Sequence, residues 1–177
     1  NGSTGLFYHA ANSKSDYYNN NNQYWGRAIG WYAAAMVDVM DDMDGDNLKT
    51  LKPQFKKIVD GMIRYQADDG MWRQFVNVSN SQKETSVTAL MAYSIQKAVN
   101  KGWLDESYAQ YAQKAFIGMC NYSLDDKGLH YICFKGSTSE YTKVSYDNYI
   151  NEGKGVGPFI MAYSEMINAK QSSDNSS

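Results

Sequence analysis

The chain has 177 residues, of which 43% are hydrophobic and 20% charged, a composition that suffices for one folded domain with a substantial core. Its net charge of −2 provides no basic field suited to nucleic acid, and no apolar run reaches the roughly 18 residues of a membrane span. The two cysteines, Cys120 and Cys133, exclude a disulfide framework, although a single bridge and two inert thiols are both compatible with the sequence.

Five stretches of the chain carry the apolar periodicity of an α-helix. The spacing predicts helices over residues 26–43, 48–67, 84–101, 105–122 and 155–169. Turns rich in Asp and Gly separate the first four, and a long loop is expected over residues 123–154. The polar ending, residues 171–177, is expected to form a disordered tail behind a single domain that spans residues 1–170.

The predicted helices are of two kinds, which alternate along the chain. The first, third and fifth are rich in Ala, Gly, Ser and Met and carry little charge, which is typical of helices buried on all sides. The second and fourth are amphipathic with polar faces, which is typical of an outer layer. The alternation indicates an inner and an outer layer of helices.

A short motif also repeats along the chain. GLFYH begins at Gly5, GMWRQ at Gly70 and GLHYI at Gly128, with spacings of 65 and 58 residues, and each motif precedes an inner helix. Tetratricopeptide and ankyrin repeats are excluded because their periods are about 34 and 33 residues. A unit of loop, inner helix and outer helix that stacks on its neighbours predicts an all-α fold, an α/α toroid with two concentric rings.

The segment QYWGRAIGW, residues 23–31, places two tryptophans and an arginine at the start of the first inner helix. Trp31 lies four residues after Arg27, so the two side chains share a helix face. Arg27 can bind a carboxylate through two hydrogen bonds, and the helix N-terminus adds a partial positive charge. With the rings of Trp25 and Trp31 as apolar platforms, this set suits an anionic sugar. The alternatives are a core role for the tryptophans and a buried carboxylate of the protein as the partner of Arg27.

Four groups of motifs follow one another in the chain: GLFYHA, then YWGRAIGW with AAAMVDVM, then GMWRQ with KETSVTALMAYSIQKAVNKGWLD, and finally GKGVGPFIMAYSEM. Together they resemble the unsaturated uronyl hydrolases of glycoside hydrolase families 105 and 88, and in particular the unsaturated rhamnogalacturonyl hydrolases. The resemblance extends over residues 5–166, and it implies a six-hairpin α/α barrel.

The resemblance also implies a reaction and a set of substrate contacts. Such enzymes remove the 4,5-unsaturated uronic acid from the non-reducing end of pectin-derived oligosaccharides. An Asp protonates the C4=C5 double bond, water adds at C5 and the hemiketal collapses, without a metal or other cofactor. By position, His9, Trp25, Arg27 and Trp31 match substrate-binding residues. Ala28 stands where these enzymes often have Gly, and its methyl group would narrow the approach to the sugar.

The resemblance further implies that part of the enzyme lies outside this chain. The proton-donating Asp precedes the GLFYH motif in these enzymes, so the catalytic residue is expected upstream of Asn1. Six hairpins would need about 360 residues, so the chain is expected to form the C-terminal half and to be inactive alone. The missing N-terminal half or a second copy is expected to cover its open flanks. The alternative is a non-catalytic helical module that binds acidic sugar or acts in assembly.

Five other residues have chemistry that could contribute to a site. Asp38 lies about 16 Å along the helix from the predicted site, so a structural role is predicted for it. Glu84 is interpreted as acting at the start of a helix, and Trp72 is a less favoured substrate candidate. His130 and Cys133 are too few ligands to favour a metal site.

Overall fold

The computed structural model describes residues 4–8, 23–133 and 150–174, with side chains in the last helix described up to residue 169. Within these residues the helices are α1 (Gly26–Asp41), α2 (Gly45–Ile63), α3 (Thr85–Asn100), α4 (Ala109–Tyr122) and α5 (Gly153–Asp174). A 3₁₀ turn, Glu106–Tyr108, leads into α4. Strand β1 (Leu124–Asp125) pairs antiparallel with β2 (Gly128–Leu129) inside the stretch that the sequence assigned to a loop.

Helix α3 lies at the centre of the described structure. It packs against α1, α4 and α5, and α1 packs in turn against α2. Every residue of α3 from Thr85 to Ala98 is buried, as expected for a helix without charge on most of its surface. The sides of α1 and α5 that face α3 are mainly apolar, whereas α2 and α4 turn polar faces outward. The predicted all-α architecture, with inner and outer helices of an α/α toroid, is therefore confirmed.

The prediction that all three inner helices are buried on every side holds only for α3. On α1 the side chains of Trp31, Tyr32 and Val39 are exposed, and on α5 those of Ile160 and Tyr163 are exposed. The physical reason is position: α3 has inner helices on both sides, whereas α1 and α5 each have one among the described residues. The apolar surface that a complete ring would bury remains open at these two ends.

The repeated glycine motif has a repeated geometry. Gly5 and Gly70 both have positive φ, +74° and +89°, a conformation that favours glycine. A Cβ at Gly5 would lie 2.6 Å from the carbonyl oxygen of Lys57 in α2, and one at Gly70 would lie 2.1 Å from that of Lys114 in α4. Each of these two loops thus packs directly against the outer helix of its own repeat, and Gly128 shares the positive φ. The sequence repeat is a structural repeat.

The end of the chain differs from the sequence prediction. Helix α5 continues to Asp174, so the backbone of residues 171–174 is helical, although these residues were assigned to a disordered tail. Once a helix is nucleated, adding polar residues at its solvent-exposed end costs little, which explains the extension. Residues 175–177 lie outside the described residues. None of the described helices is both long enough and apolar enough to cross a lipid bilayer.

Candidate sugar-binding site

Arg27 lies in the first turn of α1 and is only 6% exposed. Its Nε lies 3.6 Å from Oε1 of Glu84, and its guanidinium carbon lies 4.9 Å from the centre of the Trp25 ring. The buried cation therefore contacts both a carboxylate and an aromatic face, two surroundings that stabilise a charge removed from water. The structure thus realises the alternative that a carboxylate of the protein contacts Arg27.

Glu84 immediately precedes α3, but its side chain does not cap the helix. The first two N–H groups of α3, those of Thr85 and Ser86, instead donate to the carbonyl oxygens of Tyr131 and Ile132. The carboxylate of Glu84, which is fully buried, accepts a hydrogen bond of 2.5 Å from the Ser86 hydroxyl and faces Arg27. Glu84 thus lies at the start of α3, as interpreted from the sequence, and its carboxylate contacts Ser86 and Arg27 without capping the first N–H groups of the helix.

The inner helices α1 and α3 each begin against the loop of the next repeat. The N–H of Gly26 at the start of α1 donates to the Gln74 carbonyl at 2.7 Å, and Trp25 bridges to Phe75. The start of α3 is held in the same way by residues 131–132. The loops that carry the repeated motifs therefore lie at the end of the molecule where inner helices begin, as the sequence predicted.

The two tryptophans of the predicted site differ in exposure. Trp25 is half-buried against Arg27, whereas Trp31, six residues further along the chain, is 46% exposed. Because Arg27 and Trp31 are four residues apart, they lie on the same face of α1. An apolar cleft of about 290 Å³ lies on the neighbouring face, lined by Phe7, Tyr8, Ala28, Ile29 and Tyr32. The Ala28 methyl group lines this cleft.

His9, the fourth predicted substrate contact, lies outside the described residues. The two residues just before it are described, and they pack on α1 and on the segment that precedes α1. The ring of Tyr8 stacks on that of Tyr24 with centroids 5.1 Å apart, and Phe7 meets Tyr32 edge-on at 5.6 Å. Tyr8, the last described residue before His9, therefore lies beside the residue two positions before α1.

Trp72 is part of the core and is not available to a sugar. It is fully buried, and its indole Nε1 donates to the Met62 carbonyl at 2.8 Å. The prediction of Trp72 as a substrate candidate is wrong because the GMWRQ loop turns this side chain inward, between α2 and α3. Motif position alone could not show the direction of the side chain.

Asp38 belongs to a charged cluster between α1 and α3, far from Arg27. It accepts hydrogen bonds from the Tyr93 hydroxyl and from Lys97, whose Nζ lies 2.8 Å away. Burial raises the pKa of Tyr93 to about 12, with the neighbouring Asp38 carboxylate acting in the same direction. These contacts are structural, in agreement with the role predicted for Asp38 from its distance along the helix.

Cys120 and Cys133 are both within the described residues and both are free thiols. Burial raises the pKa of each, and at Cys133 the charges of Arg27 and Glu84 act in opposite directions. His130 hydrogen-bonds Asp125 at 2.7 Å. Among the described residues, no group of three His, Cys, Asp or Glu side chains is arranged to hold a metal ion. The proximity of Cys133 to the Arg27–Glu84 pair carried no signal in the sequence.

Comparison with known proteins identifies a family and several relatives. The family model described as Glycosyl Hydrolase Family 88 matches residues 1–170. Protein Atu3128 of Agrobacterium fabrum is 28% identical, with 81% of this chain and 71% of that protein covered. The Unsaturated 3S-rhamnoglycuronyl hydrolase of Alteromonas sp. is 26% identical (92% and 40% covered), and the Unsaturated rhamnogalacturonyl hydrolase YesR of Bacillus subtilis is 24% identical (66% and 32% covered).

Solved structures share the fold. A possible member of the GH105 family from Salmonella enterica superposes with a TM-score of 0.81 at 22% identity, with 96% of this chain and 46% of that one covered. A glycosyl hydrolase family 88 protein from Bacteroides vulgatus superposes with a TM-score of 0.79 at 22% identity, covering 94% and 50%. The chain thus spans about half the length of these solved structures.

Proposed function

The chain belongs to the Glycosyl Hydrolase Family 88, and from this we propose that it forms part of an enzyme that removes 4,5-unsaturated uronic acid from pectin-derived oligosaccharides. Two relatives are named as hydrolases of unsaturated rhamnoglycuronyl and rhamnogalacturonyl substrates, which supports rhamnogalacturonan fragments as the substrate class. No cofactor enters the proposed reaction.

The observation that carries the proposal is the surroundings of Arg27. A guanidinium in the first turn of α1 lies against the Trp25 ring, and the exposed Trp31 follows four residues later on the same helix face. Together they combine a cation for a uronate carboxylate with aromatic faces for a sugar ring. We assign Arg27 to the substrate carboxylate and Trp25, Trp31 and His9 to the sugar. These residues bind and orient the unsaturated sugar for protonation.

In the proposed reaction an acid donates a proton to C4 of the double bond, water adds at C5, and the hemiketal that forms opens to release the rest of the oligosaccharide. We propose that residues outside this chain supply the acid. Glu84 is buried in its contact with Arg27, and Asp38 is bound by Lys97 and Tyr93. Those engagements also favour the second candidate function, a non-catalytic helical module that binds acidic sugar.

The test compares the complete protein that carries this chain with the 177 residues alone, on an unsaturated rhamnogalacturonan disaccharide. The readout is the loss of ultraviolet absorbance of the double bond. We expect turnover by the complete protein and none by the chain alone. Turnover by the chain alone would contradict an external proton donor. Binding of the disaccharide without turnover by the complete protein would favour the binding module.

Arg27 gives the second test. In the complete protein, Arg27→Ala is expected to lower kcat/KM by the equivalent of about 1.5–3 kcal/mol, because a charge-assisted hydrogen bond to the carboxylate is lost. Arg27→Lys is expected to recover only part of this, since an ammonium cannot form the planar two-point contact. Unchanged kinetics in both variants would remove Arg27 from the site.

A further inference from the structure

We propose that Glu84 is a positioning residue, which holds the guanidinium of Arg27 in the orientation that meets the substrate carboxylate. The inference rests on the proposed function, because it takes Arg27 as the substrate contact. Glu84 lies at the start of a different inner helix, 57 positions after Arg27 in the chain, so the proposal extends the site to a second helix.

The geometry fixes two directions of the guanidinium. Glu84 Oε1 lies 3.6 Å from Arg27 Nε. The carboxylate therefore faces the Nε edge of the guanidinium. The Trp25 ring lies against its face, 4.9 Å from the central carbon. A planar group that is held at one edge and one face has a defined orientation. We assign the edge formed by the two terminal nitrogens to the substrate carboxylate.

Glu84 is itself held firmly enough to orient another residue. Its backbone N–H donates to the Trp72 carbonyl at 2.9 Å, and its carbonyl accepts from the Thr88 hydroxyl at 2.8 Å. The Ser86 hydroxyl donates to the same carboxylate oxygen that faces Arg27. The first N–H groups of α3 donate to the backbone carbonyl oxygens of residues 131–132, so the Glu84 carboxylate is not needed to cap the helix.

Stability alone is a weak explanation for this pair. Apolar contacts already join α1 to α3, and a Cβ at Gly30 would lie only 2.9 Å from Leu90, so the helices pack closely there. Burying both charges carries a desolvation cost that apolar side chains of similar size would avoid. A requirement to orient Arg27 explains why charged residues are present at this point.

The test uses the complete protein, with Glu84→Gln and Arg27→Ala made singly and together. KM and kcat are measured on the unsaturated disaccharide and on its uronate methyl ester, which lacks the negative charge. We expect Glu84→Gln to raise KM for the acid about tenfold and to change KM for the ester much less. We expect the double variant to be no worse than Arg27→Ala alone, since Glu84 acts through Arg27.

Two further variants separate positioning from folding. Ser86→Ala removes the hydroxyl that donates to the Glu84 carboxylate. It is expected to raise KM for the acid less than Glu84→Gln does, and again to affect the acid more than the ester. Thr85→Val is the matched control: Thr85 is equally buried in the same turn, but its hydroxyl bonds Ser123 and the His130 carbonyl. Thr85→Val is expected to leave the ratio of the two KM values unchanged even if it lowers the melting temperature. If Glu84→Gln does not fold, Ser86→Ala carries the test.

Equal losses on acid and ester, or additive losses in the double variant, would show that Glu84 is only structural and would overturn the inference while leaving Arg27 in the site. Unchanged kinetics of Arg27→Ala on the acid would instead overturn the proposed role of Arg27 and the inference with it. The two failures are therefore distinguishable in a single set of variants.

Discussion

At the scale of single residues, the partner that a buried polar side chain finds indicates whether the side chain can serve the site. Trp72 lies within a repeated motif and Arg27 in the inner helix that follows one, and both are buried, yet Arg27 contacts a carboxylate near the start of α1 and Trp72 is in the core. A buried polar group must have a partner, and the partner of the Trp72 indole is the Met62 carbonyl. Its hydrogen bond is thus satisfied by the fold and not by a ligand.

A glycine of α4 tests the contact between loop and outer helix. A Cβ at Gly118 would lie 2.3 Å from the Asp69 carbonyl oxygen, so Gly118→Ala must displace backbone. We expect a loss of about 1–3 kcal/mol in the free energy of unfolding, despite the better helix propensity of Ala. At Gly153, in α5, nothing lies within 4 Å of an added Cβ, and Gly153→Ala is expected to be neutral or slightly stabilising. Equal unfolding midpoints in denaturant would contradict the close contact.

Asp69 gives a prediction of pH dependence. Burial raises the pKa of its carboxyl, but hydrogen bonds from Lys83 and from the Met71 N–H outweigh burial and hold the pKa below its ordinary value. A carboxyl with a depressed folded pKa contributes stability that is complete above the unfolded pKa of about 3.9 and is lost as pH falls through the folded value. Asp69→Asn should therefore cost about 0.5–1 kcal/mol at pH 7.

The measurement is the free energy of unfolding of Asp69→Asn and of the unmodified protein, at pH 7 and in steps below pH 4. The two proteins should converge in stability as the pH falls below the folded pKa of Asp69. Asp46→Asn is the control at pH 7, because the Asp46 side chain is 98% exposed and its ion pair with Lys49 contributes little. A stability difference for Asp69→Asn that persists unchanged at low pH would contradict the prediction.

At the scale of elements, charged contacts join α1 to α3 at both ends of their interface. Arg27 and Glu84 meet where the helices begin, and Asp38 meets Lys97 near where they end. Between the ionic ends the contact is close and apolar. This arrangement specifies the register of the two helices, because a shift of one turn would separate both charge pairs.

Lys97 is the centre of the second contact. Burial alone would lower its pKa, but hydrogen bonds to Asp38 and Tyr93 outweigh burial and raise the pKa above its ordinary value, so the ammonium is charged at neutral pH. Lys97→Met keeps most of the side-chain volume but leaves the carboxylates of Asp38 and Asp41 without this cation. We expect a loss of about 1–2 kcal/mol in the free energy of unfolding, since both carboxylates are partly exposed.

The control for this variant is Lys49→Met. Lys49 forms an ion pair with Asp46, but both side chains are almost fully exposed, so a change within about 0.5 kcal/mol is expected. Comparable losses in the two variants, measured by urea unfolding at pH 7, would show that the Lys97 cluster contributes no more than a surface pair.

At the scale of the whole molecule, the described structure has two apolar ends. One end exposes Tyr32 and Val39 of α1 beside Phe7, and the other exposes Ile160 and Tyr163 of α5. In a closed ring of helices each surface would pack against a neighbour, as α3 does on both sides. The chain on its own is therefore expected to associate through these surfaces.

The prediction is that the 177 residues alone form oligomers or aggregates in light scattering, and that Ile160→Lys reduces this association because a charge resists burial. Lys49→Ala, which changes the polar surface of α2, is the control and should not alter the size distribution. A monodisperse monomer would contradict the proposal that further helices or a second copy cover the two ends.

The sequence by itself determined the helices, their alternation between inner and outer layers, the repeated loop and the family. The helices and their layers follow from local pattern, because periodicity and charge along a helix record which face meets the core, and the family follows from the resemblance of the motifs. The tertiary structure alone decided the contact of Arg27 with Glu84, the inward turn of Trp72, the exposed faces of α1 and α5, and the capping of α3 by residues 131–132. All four depend on which distant segments become neighbours, and the identity of a neighbour is a property of packing that no single stretch of sequence contains.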